Sequence, residues 1–236
     1  MINNKKDYLR ITEDGNYLIN YNNENIDLTL EIDTNIKVTI INLTKEERLS
    51  INTNYILHDN SELTIYKFYH IKDVTEEISF DLNGINSSIN YFFRTLSLGN
   101  ENYHLKINHN NINTKSIINN KAIAFKEWNI IFELDSNLGK KITGCTLSQD
   151  TTIITLDDSK AKVSPNMYIE NDDVIARHGS AIGTFSDDEV FYLMSRGIDY
   201  NNSVKLLIKG ILLSNLEIDL SLKEKILNII NMYWRW

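Results

Sequence analysis

Between residues 17 and 175, apolar and polar side chains alternate with a period of two in short bursts. Tyr17-Leu18-Ile19-Asn20-Tyr21, Lys37-Val38-Thr39-Ile40-Ile41, Glu62-Leu63-Thr64-Ile65-Tyr66 and Glu77-Ile78-Ser79-Phe80 show it early. Ile130-Ile131-Phe132-Glu133-Leu134 and Thr152-Ile153-Ile154-Thr155-Leu156 show it later. Each burst is rich in β-branched or aromatic residues and is bounded by Asn, Asp, Ser or Gly, the mark of strands between polar corners. No stretch of this region holds a helical period, so it is predicted to be all-β. Hairpin dipeptides occur at Asp14-Gly15 and Asn83-Gly84, too few for about a dozen strands to form a tight meander. A sandwich with longer loops and a parallel β-helix both fit, and no strict repeat chooses between them.

The pattern changes after Gly183. Ser186 followed by Asp187, Asp188 and Glu189 predicts a capping box at the start of a helix through Val190-Phe191-Tyr192-Leu193-Met194, with Gly197 as its stop. A second helix is predicted over Asn202–Leu213, with Val204, Leu207, Ile208, Ile211 and Leu212 on one face. A third is predicted to start at Ser221, with Glu224 completing a capping box, and to bury Leu222, Ile226, Ile229, Ile230 and Tyr233. The predicted layout is a β body over 1–183 and a helical domain over 184–236.

Composition narrows the function. With 32 Asn and 35 Ile but 9 Gly and 1 Pro, the chain suits short strands with polar corners, although AT-rich codon usage explains the excess equally well. A formal charge of −8, from 24 basic and 32 acidic residues, argues against a nucleic-acid surface. Cys145 is the single cysteine, which excludes an intrachain disulfide and a multi-cysteine metal framework. Met1 to Arg10 is polar and the longest apolar stretches are far below the roughly 20 residues that span a bilayer, so a cytoplasmic protein without membrane contact is expected. Neither a Gly-Lys-Ser/Thr phosphate loop nor a Gly-x-Ser-x-Gly elbow is present, so the chain is expected to bind no ATP itself and not to be an enzyme.

One segment says more. It runs Ser164-Pro165-Asn166-Met167-Tyr168-Ile169-Glu170-Asn171-Asp172-Asp173-Val174-Ile175-Ala176-Arg177-His178-Gly179-Ser180-Ala181-Ile182-Gly183. It continues through Asp187-Asp188-Glu189-Val190-Phe191-Tyr192-Leu193-Met194-Ser195-Arg196-Gly197-Ile198. The proline-led strand, the acidic pair before Val, the His-Gly element and the Phe-Tyr-Leu-x-Ser-Arg-Gly-Ile helix end resemble the C-terminal signature of the SufB/SufD family of iron–sulfur cluster assembly proteins. The resemblance covers about Lys160 to Trp236 and implies a right-handed parallel β-helix followed by a C-terminal helical domain. It also implies a partner, the SufC-type ABC ATPase, docked through Phe191, Tyr192, Leu193, Ser195, Arg196, Gly197 and Ile198. The other reading of that apolar surface is intramolecular core.

Arg177 before His178 and Gly179 after it resemble the SufD branch, since the SufB branch flanks this histidine with acids. SufB-type scaffolds carry a cysteine some 28 residues upstream, where this chain has Ser148-Gln149-Asp150. A helical N-terminal region typical of the family is not apparent, which suggests a short form. His178 is the candidate ligand for iron or a nascent cluster, imidazole being a good iron ligand and a proton shuttle near neutral pH. Its alternative is a junction histidine bonded to backbone. Cys145 is a second candidate as a soft thiolate, against the reading of a small core residue beside Ile142. Asp157-Asp158, Asp172-Asp173 and Asp187-Asp188 read as corners and a helix cap. His58, His70, His104 and His109 lack a ligand set, the last two pointing to opposite strand faces.

The expected function is non-enzymatic: a SufD-like subunit that binds the ATPase and meets an iron–sulfur cluster, transient and shared with a partner chain, at a subunit interface. That partner is a SufB-like paralogue or a second copy of this chain acting as sole scaffold. A carbohydrate-acting or adhesive β-helix is the contrasting expectation.

Overall fold

The protein is described here by a computed structural model covering residues 7–21, 24–44 and 48–233. Among these residues the chain runs β1 (Asp7–Ile11), β2 (Gly15–Ile19), β3 (Asn25–Ile32), β4 (Lys37–Thr44), β5 (Arg48–Leu57) and β6 (Glu62–Tyr69). It continues as β7 (Asp73–Leu82), β8 (Ser88–Leu96), β9 (Glu101–His109), β10 (Lys115–Ala124), β11 (Asn129–Leu138), β12 (Cys145–Thr155), β13 (Lys160–Ile169) and β14 (Val174–Gly183). Three helices follow: α1 (Asp187–Ser195), α2 (Tyr200–Leu213) and α3 (Leu220–Tyr233).

The odd-numbered strands form one parallel sheet in the order β1-β3-β5-β7-β9-β11-β13, and the even-numbered strands form a second, β14-β12-β10-β8-β6-β4-β2. Each strand pairs with the strand one coil away, so the chain winds as a parallel β-solenoid whose two sheets enclose a filled lumen. This decides for the β-helix over the sandwich. The sequence shows no repeat because the coil length changes along the chain. Register partners lie 21 residues apart at Asp7–Leu28, 25 at Asn25–Ser50, 27 at Asp81–Asn108 and 31 at Asn129–Lys160, then 29 at Cys145–Val174.

Asparagine forms the corners. Asn35, Asn60, Asn86 and Asn113 take left-handed φ of 54–61° at the turn leading into the even sheet, a conformation Asn tolerates better than most residues. Their side chains stack: Asn60 donates to Asn35 at 3.0 Å and Asn86 to Asn60 at 2.8 Å. Gly144 continues the corner with φ 69°, and a Cβ there would lie 2.3 Å from Asn113 Oδ1. Asp157 is likewise a left-handed corner residue, Asp173 accepts from the Gly144 amide, and Asp187 and Asp188 lie in the first turn of α1.

The lumen is apolar and aromatic. Tyr103 and Phe132 stack at 4.9 Å, and Phe93 meets Tyr103 edge-on at 4.7 Å. Lys67 and Glu76 form an ion pair inside it at 2.5 Å, with side chains 1% and 0% exposed. The outer face of the odd sheet faces water and carries polar ladders such as Asn137 to Asn108 to Asp81. Over β6, β8, β10 and β12 the outer face of the even sheet is covered by the helices, and there Phe68, Leu96, Ile123 and Ile154 pack with Val190, Val204, Ile208, Leu212, Leu222, Ile226 and Ile230. That cover is why the alternation fails in Lys67-Phe68-Tyr69-His70-Ile71, which is buried on both faces.

Helix boundaries follow the capping chemistry. Ser186 and Glu189 form both halves of a capping box on α1, and Gly197, with φ 86°, ends that turn. Asp199 caps α2. For α3 the expected cap at Ser221 is corrected: Asp219 takes the role, accepting from the Leu222 amide at 2.7 Å. Aspartate is as good a cap as serine and lies one turn-start earlier, which places Ser221 within the helix. Leu222, Ile226, Ile229 and Ile230 are buried as expected, while the Tyr233 side chain lies outside the described residues.

Candidate functional site

His178 sits at the middle of β14, the edge strand of the even sheet, whose sole partner there is β12. The register sets His178 beside Gln149, and strand phase then fixes which way each side chain faces. Cys145, Leu147, Gln149, Thr151 and Ile153 of β12 are buried toward the lumen, so Val174, Ala176, His178, Ser180 and Ile182 carry the lumen-facing side onto β14. Arg177 points the other way, and its Nε donates to Ser148 Oγ at 2.9 Å. Gln149 donates to Ser136 Oγ across the lumen at 2.7 Å, while its Oε1 is buried without a hydrogen-bond partner.

Almost all of β14 is exposed, on both faces: Ile175 is 70% and Ile182 49% accessible. The last odd strand, β13, is likewise half-open, with Tyr168 exposed and Val163, Pro165 and Met167 only partly covered. The solenoid thus ends in an uncapped mouth lined by apolar side chains, His178 and Ser180. A row of free backbone donors and acceptors along β14 is a template for pairing with another strand.

Cys145 is placed elsewhere. It opens β12 opposite Val174, four residues from the His178 level, or about 13 Å along the strand. Its thiol is buried with Leu138 and Leu147, and lies 3.2 Å from Thr114 Oγ1. Thr114 in turn meets His109, which burial draws down from 6.5 to about 4 and so keeps neutral. The structure therefore does not bring the two candidate ligands together. Among the described residues no group of three His, Cys, Asp or Glu side chains converges as a metal site.

His104 and His109 do face opposite sides: His104 pairs with Asp135 at 2.8 Å on the wet face, and His109 is buried. His58 pairs with Glu31 at 2.6 Å and His70 is buried against Leu96 O. Each of the four is engaged away from the mouth.

The α1 segment forms the second exposed feature. Of its nine residues only Val190 is buried, whereas Phe191, Tyr192 and Met194 are 70%, 58% and 44% exposed. Leu193 and Ile198 are half-buried, and Ser195, Arg196 and Gly197 are exposed. Arg196 stacks over the Tyr192 ring at 5.3 Å, and Ser195 Oγ donates to Tyr192 O at 2.7 Å. Tyr200 and Leu206 of α2 add to this aromatic and apolar surface.

Within Ser148-Gln149-Asp150, the 29-residue coil makes Gln149 the neighbour of His178. Arg94 gave no signal at all: it lies in Phe92-Phe93-Arg94-Thr95-Leu96, where both strand faces are covered.

The profile described as "SUF system FeS cluster assembly, SufBD core domain" matches residues 5–211. An iron–sulfur cluster assembly SufBD family protein of Staphylococcus haemolyticus is 27% identical over 106 residues, covering 44% of this chain and 23% of that protein. SufBD family proteins of Staphylococcus epidermidis and Staphylococcus aureus match at the same identity and coverage. The matched segment thus spans under a quarter of the length of these curated relatives. No helix among the described residues is long and apolar enough to cross a membrane. A match over most of the chain, on a parallel solenoid with the expected helical tail, means that this chain belongs to the SufBD core-domain family of the SUF iron–sulfur cluster assembly system.

Proposed function

We propose that the chain is a non-enzymatic, SufD-like subunit of a cytoplasmic SUF assembly complex. The observation that carries this is the open β14 edge with His178 on its lumen side, beside the buried amide of Gln149. A second strand paired to β14 covers the apolar mouth and brings its own ligands to His178. One imidazole is an incomplete site for iron or a nascent cluster, so the remaining ligands come from the partner. Gln149 stands where a SufB-type scaffold is expected to carry its cysteine, and Cys145 is buried well away, which favours a SufB-like paralogue over a second copy of this chain.

The SufC-type ATPase then docks on α1 and the turn after it, through Phe191, Tyr192, Leu193, Ser195, Arg196, Gly197 and Ile198. The support is chemical: aromatic rings more than half exposed on a short helix that buries one side chain against its own protein.

Anaerobic purification of the chain with a SufC-type ATPase and a SufB-like partner tests both surfaces. The expected result is a ternary complex of defined mass with an iron–sulfur absorption band. Phe191→Ala combined with Tyr192→Ala should release the ATPase but leave the paired solenoids, and His178→Ala should leave both partners bound while the band is lost. Cluster assembly at the wild-type level with His178→Ala would remove the role given to that residue.

A further inference from the structure

Three strands of the even sheet grip the loop between α2 and α3 from below. Arg94, on the outward side of β8, is 1% exposed. Its Nε donates to Leu212 O and one Nη to Ser214 O, both at 3.0 Å. The remaining donors reach Phe93 O, Asn119 O and Asn119 Oδ1, each at 2.8 Å. All five guanidinium N–H groups are used, and every acceptor is a neutral oxygen. Lys121 of β10 donates to Ser214 Oγ at 2.5 Å, and Tyr66 of β6 donates to Glu217 O at 3.1 Å.

The helix needs this help. The last turn of α2 has no basic residue, so the negative end of its dipole and its free carbonyls have no cation of their own. The rest of the contact between helices and sheet is apolar, through Ile123, Ile208 and Leu212 among others, and apolar packing holds without fixing direction.

The structure assigns to Arg94 the role of a latch: it fixes the α2–α3 hairpin on the solenoid at one polar point, so that the hairpin stays or leaves as a unit. Lys121 and Tyr66 are auxiliary contacts on the same loop. Whatever pulls on these helices pulls on β8 and β10. The assignment rests on the packing of this chain alone and holds whether or not an ATPase binds α1.

Amide hydrogen exchange on the full chain, read by mass spectrometry, tests it. In Arg94→Met, exchange over residues 210–226 should rise at least tenfold, with β5, β7 and β9 unchanged. Arg94→Lys keeps the charge but loses the planar fork, so its rise should be smaller. Exchange over 210–226 within twofold of wild type in Arg94→Met would overturn the latch. So would a rise of equal size in the odd-sheet strands, which would make Arg94 an ordinary core residue. Should Arg94→Met fail to fold, Arg94→Lys and Tyr66→Phe carry the test, with a local rise over 214–222 expected in both and no change in either overturning it.

Discussion

Lys67 and Glu76 meet inside the lumen from opposite sheets, and Tyr69 adds a hydrogen bond to the same carboxylate oxygen at 3.0 Å. The ammonium also lies 5.0 Å from the centre of the Tyr69 ring. Burial pulls the Lys67 pKa down, and the adjacent carboxylate pulls it back up. A pair this deep is held by mutual neutralisation, since either charge alone in the lumen is costly. Glu76→Leu alone should therefore cost about 3–5 kcal/mol of stability, and Lys67→Met on top of it should restore most of that loss. Urea unfolding of the two singles and the double measures this. A double variant no more stable than Glu76→Leu would refute it. The sequence shows the inward phase of Lys67, which follows Leu63 and Ile65 at intervals of two, but not its partner, which lies around a corner. The neighbours of His178 in the chain mark it as a candidate. Its open edge was not legible, because exposure of a final strand depends on what no later coil covers.

Among the elements, α1 was the most legible, because its cap is local chemistry: Ser186 with Glu189 and the stop at Gly197 stand as the sequence implies, whereas Asp199 and Asp219 start α2 and α3 ahead of the expected Asn202 and Ser221. Strands were legible as a class, while their pairing was hidden by a coil that varies between 21 and 31 residues. The asparagine excess becomes intelligible at the corners. Asn60 has φ 54°, accepts from Asn86 and donates to Asn35. Asn60→Ala should lose the ladder bonds and also strain a left-handed backbone, about 1–2 kcal/mol from the strain alone. Asn60→Gly removes the same bonds without that strain, so it should be the milder change in thermal unfolding. Equal losses in the two variants would show that backbone conformation does not set the corner's preference.

Across the whole molecule, two buried groups give opposite pH dependences. Burial lifts Glu101 from 4.5 to about 7, against the lowering effect of hydrogen bonds from Tyr103 and Thr95. Between those values the folded chain keeps a proton that the unfolded chain has released, so stability falls as pH rises through the window. His109, drawn down from 6.5 to about 4, does the reverse: the unfolded chain binds the proton first, and stability falls as pH drops through that range. Glu101→Gln removes the first effect. Its unfolding free energy relative to wild type should climb by on the order of 3 kcal/mol between pH 4.5 and 7.5. Denaturant titrations across that range check the slope, and a constant offset would contradict the buried-acid account.

Unequal strand lengths also bear on how such a molecule could propagate. β14 offers ten residues to an incoming strand, whereas β1 and β2 have five each. Two chains that meet through their β14 edges match along the full strand and share the burial of their mouths. A chain that added its β1 or β2 end to a β14 edge would pair over half that length and leave the rest of the edge wet. Head-to-tail stacking, which turns uniform β-solenoids into fibres, is thus the weaker joint at every step. The ten-residue β14 edge is therefore the stronger of the joints such a solenoid offers.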